Sequence, residues 1–143
     1  MLIQILLGGT LIVLTSLVVA PAWWALEVFL DRAQGWLSRP PYGPKLTLAL
    51  GLTMLWSALM ITVAVWIWAL TFLALGLFET VESAVYFALV VFTTLGYGDV
   101  LLPEGWRLLG GLAATNGLLI FGLLTAMLVE TLRQTRLHQR DRA

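Results

Sequence analysis

Cysteine is absent from the 143 residues, and histidine occurs once, at His138. No disulfide framework, thiolate metal site or histidine cluster can therefore form within one chain. Charge is scarce as well: eight basic and eight acidic residues make up 11% of the chain and cancel to a net charge of zero. Soluble domains carry about 25% charged and about 45–50% apolar residues, whereas 60% of this chain is hydrophobic. So short a chain cannot bury that excess in a core of its own, so the solvent for most of it is lipid. Without a basic face, nucleic acid is excluded as a partner. No apolar segment pairs an acid with a base, a serine with a histidine, or a set of metal ligands. The sequence thus offers no catalytic residues, implies no cofactor and shows no small-molecule substrate site.

What is present is three long apolar stretches. The first, residues 2–20, is long enough for ~30 Å of hydrocarbon at ~1.5 Å per residue. No Lys or Arg precedes Arg32, so this stretch lacks the positive flank of a cleaved leader. Pro21 suits the first turn of a new helix. Trp23, Leu26, Leu30, Ala33 and Leu37 then recur at three- and four-residue spacing, with Glu27, Asp31 and Arg32 elsewhere. That pattern predicts a separate amphipathic helix from residue 21 to 37, lying in the headgroup plane. Residues 38–45 form a stiff connector with Pro40, Pro41 and Pro44. The second span is predicted over 46–78 and the third over 106–132, leaving 133–143 as a short basic tail.

Residues 79–100 differ. Thr80 is a candidate N-cap, with Glu82 and Ser83 in the first turn. A helix over 81–92 is too short to cross and runs into a glycine-containing segment, 93–99. Irregular backbone at membrane depth is tolerated where it lines a water-filled path or is buried in protein. A re-entrant loop between two spans is the expectation. Seven of the eight basic residues lie in the segment before the second span (Arg32, Arg39, Lys45) and in the tail (Arg133, Arg136, Arg140, Arg142). Glu79, Glu82, Asp99 and Glu104 flank the loop against Arg107 alone. Basic residues mark the cytoplasmic side. The chain is therefore expected in the cell (plasma or inner) membrane as a multi-pass protein, with the N-terminus outside and the C-terminus cytoplasmic.

The run Thr93-Thr94-Leu95-Gly96-Tyr97-Gly98-Asp99 resembles the selectivity-filter signature of potassium channels. The resemblance covers residues 46–132, the two-helix pore module of small bacterial-type channels, with one extra helix ahead of it. It implies an all-α membrane protein with three transmembrane helices, a re-entrant pore helix and a filter loop, assembled as a homotetramer in the lipid bilayer and conducting K+ passively. A potassium ion leaving water must exchange hydration oxygens for protein oxygens, and stacked backbone carbonyls supply them. Aiming successive carbonyls at one axis requires alternating backbone conformations with positive φ, which Gly96 and Gly98 permit. One loop per chain then requires four chains to close the cage.

By the same resemblance, the carbonyls of Thr94, Leu95, Gly96 and Tyr97 hold K+, Gly98 completes the filter, and the Thr94 hydroxyl closes the innermost site. Tyr97 is expected to pack against the pore helices, Leu95 to point into the protein, and Asp99 to sit at the outer mouth. Tyr86 and Phe87 stand where many relatives carry two tryptophans. The Tyr86 hydroxyl is expected to reach Asp99, while Phe87 has no donor for Tyr97. Val90 replaces a glutamate found in some bacterial relatives. In the third span Gly117 matches the family's hinge glycine, and close helix packing is an equal reading of it. Helical phase puts Leu118, Phe121 and Thr125 on one stripe, which the resemblance places with Gly122 on the inner cavity and gate. Asn116 lies off that stripe and is read as polar glue between helices. A non-selective cation channel and a non-conducting accessory or scaffold protein are the alternatives.

Overall fold

The computed structural model describes residues 1–37 and 39–140. The described residues form α1 (Leu2–Leu37), α2 (Tyr42–Ala74), α3 (Val81–Phe92) and α4 (Arg107–Arg140), the last preceded by a 3₁₀ turn at Glu104–Trp106, and no strand. Segments of α1, α2 and the turn with α4 (Leu2–Ala33, Tyr42–Ala74, Glu104–Arg133) are long and apolar enough to cross a membrane. At 12 residues α3 is not. The all-α architecture with three spanning helices is the one expected from the sequence.

The expected break at Pro21 does not occur, and residues 21–37 are not a separate helix. Proline in a helix interior forfeits one backbone hydrogen bond. Here burial on both sides of it, at Val19, Trp23 and Leu26, holds α1 continuous through Pro21. Glu27, which fits poorly in a span, accepts a hydrogen bond from Trp23 Nε1 at 3.1 Å. At ~1.5 Å per residue α1 is about 54 Å long, so its last turns project beyond ~30 Å of hydrocarbon.

The second helix is shifted toward the N-terminus, covering 42–74 rather than 46–78. Pro44 sits in its first turn, where a missing N–H costs nothing. Its end is set by Gly76 at φ +68°. The Gly76 N–H donates to the Leu73 carbonyl at 2.9 Å and the Leu77 N–H to the Phe72 carbonyl at 3.1 Å. That bond pair is a Schellman cap. In the connector, Lys45 Nζ donates to the carbonyls of Trp36 (2.9 Å) and Arg39 (2.8 Å) and lies 4.7 Å from the Trp36 ring centre. It closes the end of α1 against the start of α2. The third spanning helix does not stop at 132 but continues to Arg140. No Gly or Pro follows Gly122, and the Arg133 guanidinium grips the Glu130 carboxylate through two 2.9 Å bonds across the expected boundary. Ser38 and the tail positions 141–143, including Arg142, lie outside the described residues.

The core joins α2 to α3 through aromatic rings. Phe72 packs edge-on to Phe87 at 5.4 Å between centres, Phe87 lies 5.2 Å from Phe78, and Trp68 lies 5.8 Å from Phe72. Each such pair adds about 0.5–1.5 kcal/mol beyond its burial. The cluster fixes the pitch of α3, and so the direction in which its C-terminal end delivers the chain.

Candidate functional site

Thr80 starts α3 as expected, its Oγ1 accepting from the Ser83 N–H at 3.2 Å. At the other end the chain leaves the helix without separating from it. The Thr94 N–H donates to Val91, and the N–H groups of Leu95 and Gly96 both donate to the Val90 carbonyl, at 3.0, 3.0 and 3.3 Å. Otherwise orphaned helix carbonyls thus anchor the first residues of the loop. Val90 supports it through its backbone, which the side-chain comparison with glutamate could not reveal.

The loop alternates. Thr94, Gly96 and Gly98 have φ of +59°, +59° and +76°. The two glycines were expected there, but Thr94 was not, since a β-branched residue is a rare occupant of the left-handed region. Among the described residues, none donates a hydrogen bond to the carbonyls of Thr94, Leu95, Gly96 or Tyr97. Their oxygens remain available. Within one subunit Leu95 is 55% and Tyr97 70% exposed, so their own chain leaves both side chains largely uncovered.

Asp99 is held at both oxygens. The Tyr86 hydroxyl donates to Oδ2 at 2.6 Å, the bond anticipated from the sequence, and the Val100 N–H donates to Oδ1 at 3.0 Å. The Tyr86 bond first, and backbone N–H groups after it, hold the Asp99 carboxyl below its ordinary range. A carboxylate with a lowered pKa stabilises the folded loop at neutral pH. That contribution is lost as pH falls below ~3.9 and through the lowered value. Tyr86→Phe is therefore expected to move the acid-induced loss of activity to higher pH, which a pH series of ion flux reads. An unchanged acid limb would show that the bond does not matter.

Phe87 is buried against Phe72 and Phe78. Gly117 is likewise placed by packing. A Cβ there would collide with the Phe92 carbonyl oxygen and lie 2.8 Å from its carbon and 2.9 Å from its Cα. The backbone of α4 therefore rests directly on the last residue of α3. Leu118, Phe121, Gly122 and Thr125 are exposed in the single subunit, whereas Asn116 is buried.

Residues 52–134 match the model of an ion channel family. That is more than half of the chain, and it takes in most of α2, all of α3 and the loop, and α4 through residue 134. The chain belongs to this ion channel family. No curated protein and no solved structure matches it. The family is not an enzyme class, and its members conduct ions passively. In this ion channel the matched region is the pore module, and α1 lies wholly outside it.

Two further features of the channel were not legible in the sequence. A groove of about 210 Å³ between α2 and α4 is lined by Met54, Ser57, Ile61, Phe121, Thr125 and Leu128, so Phe121 and Thr125 border α2 as well as the exposed stripe. Behind the loop, a cavity of about 430 Å³ is bounded by Phe87, Val91, Thr94, Gly96, Leu102 and Gly110 among others. The loop backbone is therefore not buttressed throughout by its own subunit.

Proposed function

We propose that this ion channel is potassium-selective and that four copies surround one conduction path. The observation that carries the reading is the alternation of left-handed backbone at Thr94, Gly96 and Gly98 beside four successive carbonyls with no intrasubunit donor. Such carbonyls are suited to replace the hydration oxygens of a monovalent cation. The permeant ion is the substrate, held at Thr94, Leu95, Gly96 and Tyr97 and released by the next ion to enter. The exposure of Leu95 and Tyr97 supports the assembly of several subunits around the loop. Neighbouring subunits would cover these side chains and fill the space behind the loop, and the stripe of Leu118, Phe121, Gly122 and Thr125 would then line the inner cavity and gate.

Orientation is part of the proposal. Seven basic residues before the second span and in the tail, against Arg107 near the mouth, support a cytoplasmic C-terminus and an external N-terminus in the cell membrane. Glu79, Glu82, Asp99 and Glu104 would then concentrate cations at the outer entrance. Ile3 is 72% exposed, and the chain has no other thiol to interfere. Ile3→Cys is expected to react with an impermeant thiol reagent added outside; reaction only from the cytoplasmic side refutes the topology. Purified protein in liposomes should take up rubidium and exclude sodium, and chemical cross-linking should stop at four chains. Equal uptake of both ions would favour a non-selective cation channel, and no uptake of either an accessory protein.

A further inference from the structure

The extra N-terminal helix α1 is fastened to α4 at three levels. At the outer end Gln4 bridges the 3₁₀ turn and the helix start. Its Nε2 donates to the Gly105 carbonyl, and its Oε1 accepts from the Leu109 N–H at 3.2 Å. That N–H lies in the first turn of α4, where no helix carbonyl can accept it. One turn further along α1, Gly8 lies against Leu112, and a Cβ at Gly8 would sit 3.0 Å from the Leu112 Cβ. Two turns beyond that, Asn116 Nδ2 donates to Thr15 Oγ1 at 2.7 Å in a buried position. The order 4, 8, 15 against 105–109, 112, 116 makes the two helices parallel and in register.

Past Pro21 the helix α1 also meets α2. Ala25, Leu26 and Phe29 line a cavity of about 300 Å³ together with Leu52 and Trp56 of α2. The hydrogen bonds from α1 thus reach α4 as far as Asn116, immediately before Gly117, whose backbone rests on Phe92 beneath the loop.

We infer that α1 is a brace for the pore: Gln4, Thr15 and Asn116 are positioning residues that hold the outer half of α4 in place, so that the Gly117–Phe92 seat under the filter stays closed. The inference rests on the pore reading above. The Thr15–Asn116 bond is poorly explained by stability alone. Thr15 Oγ1 already donates within α1, to the carbonyls of Leu11 (2.9 Å) and Ile12 (3.0 Å). The Asn116 Oδ1 is buried with no partner among the described residues, and an unpaired buried acceptor is costly. A leucine at 116 would remove that cost. What the asparagine adds is a fixed register between two otherwise smooth apolar helices.

The variant Asn116→Leu separates the two roles. It leaves no orphaned group, because Thr15 keeps its bonds within α1. Tetramers should form normally, and unitary conductance and reversal potential should match wild type. Open dwell times in single-channel recordings should shorten about three- to tenfold, the size of effect that loss of one buried hydrogen bond supports. Thr15→Ser alone, which keeps the hydroxyl, should leave wild-type dwell times unchanged. Wild-type dwell times in assembled N116L channels overturn the brace, as does an equal effect of Thr15→Ser. Should N116L fail to assemble, Gln4→Met is read in the same way, since water at the outer end can serve Gly105 and Leu109. A wild-type protein that conducts no ions overturns the pore reading instead, so the two failures are distinguishable.

Discussion

Gly117→Ala is expected to abolish conduction by this ion channel. The added methyl would overlap the backbone of Phe92, and backbone at the junction of a helix and a loop cannot rotate aside as a side chain does. Overpacking of this kind costs about 1–3 kcal/mol where the surroundings relax. At the upper end, ~3 kcal/mol per subunit is roughly a hundredfold loss of correctly seated protein, repeated in every subunit of an assembly. The methyl would push α4 off α3 and carry away the Val90 and Val91 carbonyls on which the loop hangs. Gly51→Ala in α2 is the control, because nothing lies within 4 Å of its Cβ. There the change should be neutral or slightly stabilising. Potassium flux and tetramer yield, measured side by side, decide the matter. Gly117→Ala channels that assemble normally but open less often would instead support a hinge.

The second large effect is expected at Gly96. Its φ of +59° lies in the region where an L side chain costs about 1–2 kcal/mol. Nothing in the single subunit obstructs a Cβ there, so the penalty is conformational rather than steric. In the proposed tetramer, four copies would bring it to about 4–8 kcal/mol, a large fraction of the stability of an ordinary domain. The strained peptide is expected to relax by turning its carbonyl away from the path. Gly96→Ala should therefore form tetramers that conduct no potassium, measured as flux in liposomes with tetramers confirmed by cross-linking. Normal potassium currents through that variant would show that positive φ at this position is not required.

The contrast between these glycines shows what the sequence carried. The requirement at Gly96 was legible because it is local: alternating carbonyls need positive φ, and glycine permits it. The start of α3 at Val81, its cap at Thr80 and the Tyr86–Asp99 bond were legible for the same reason, each being set within about a dozen residues. The requirement at Gly117 depends on Phe92, twenty-five positions away, and a glycine in an apolar helix fits a hinge or a contact equally well. Asn116 was read as glue, yet its partner Thr15 lies 101 positions away, and no spacing rule connects them. Pro21 misled because local propensity favoured a break, while burial of Val19 and Trp23 on either side of it outweighed one lost hydrogen bond. The end of α2 was misplaced although Gly76 signalled it. The apolar run through Phe78 obscured a cap that depends on backbone conformation. Thr94 shows the opposite limit: its left-handed φ goes against its residue type, and only the hydrogen bonds from the loop to Val90 and Val91 account for it.

The most direct test of potassium selectivity is the reversal potential of the purified channel in a planar bilayer with potassium on one side and sodium at equal concentration on the other. Selective coordination by the carbonyls of Thr94, Leu95, Gly96 and Tyr97 gives a reversal far from zero, on the side set by potassium alone, with no measurable inward sodium current. A reversal at zero, with both ions carrying current, contradicts it.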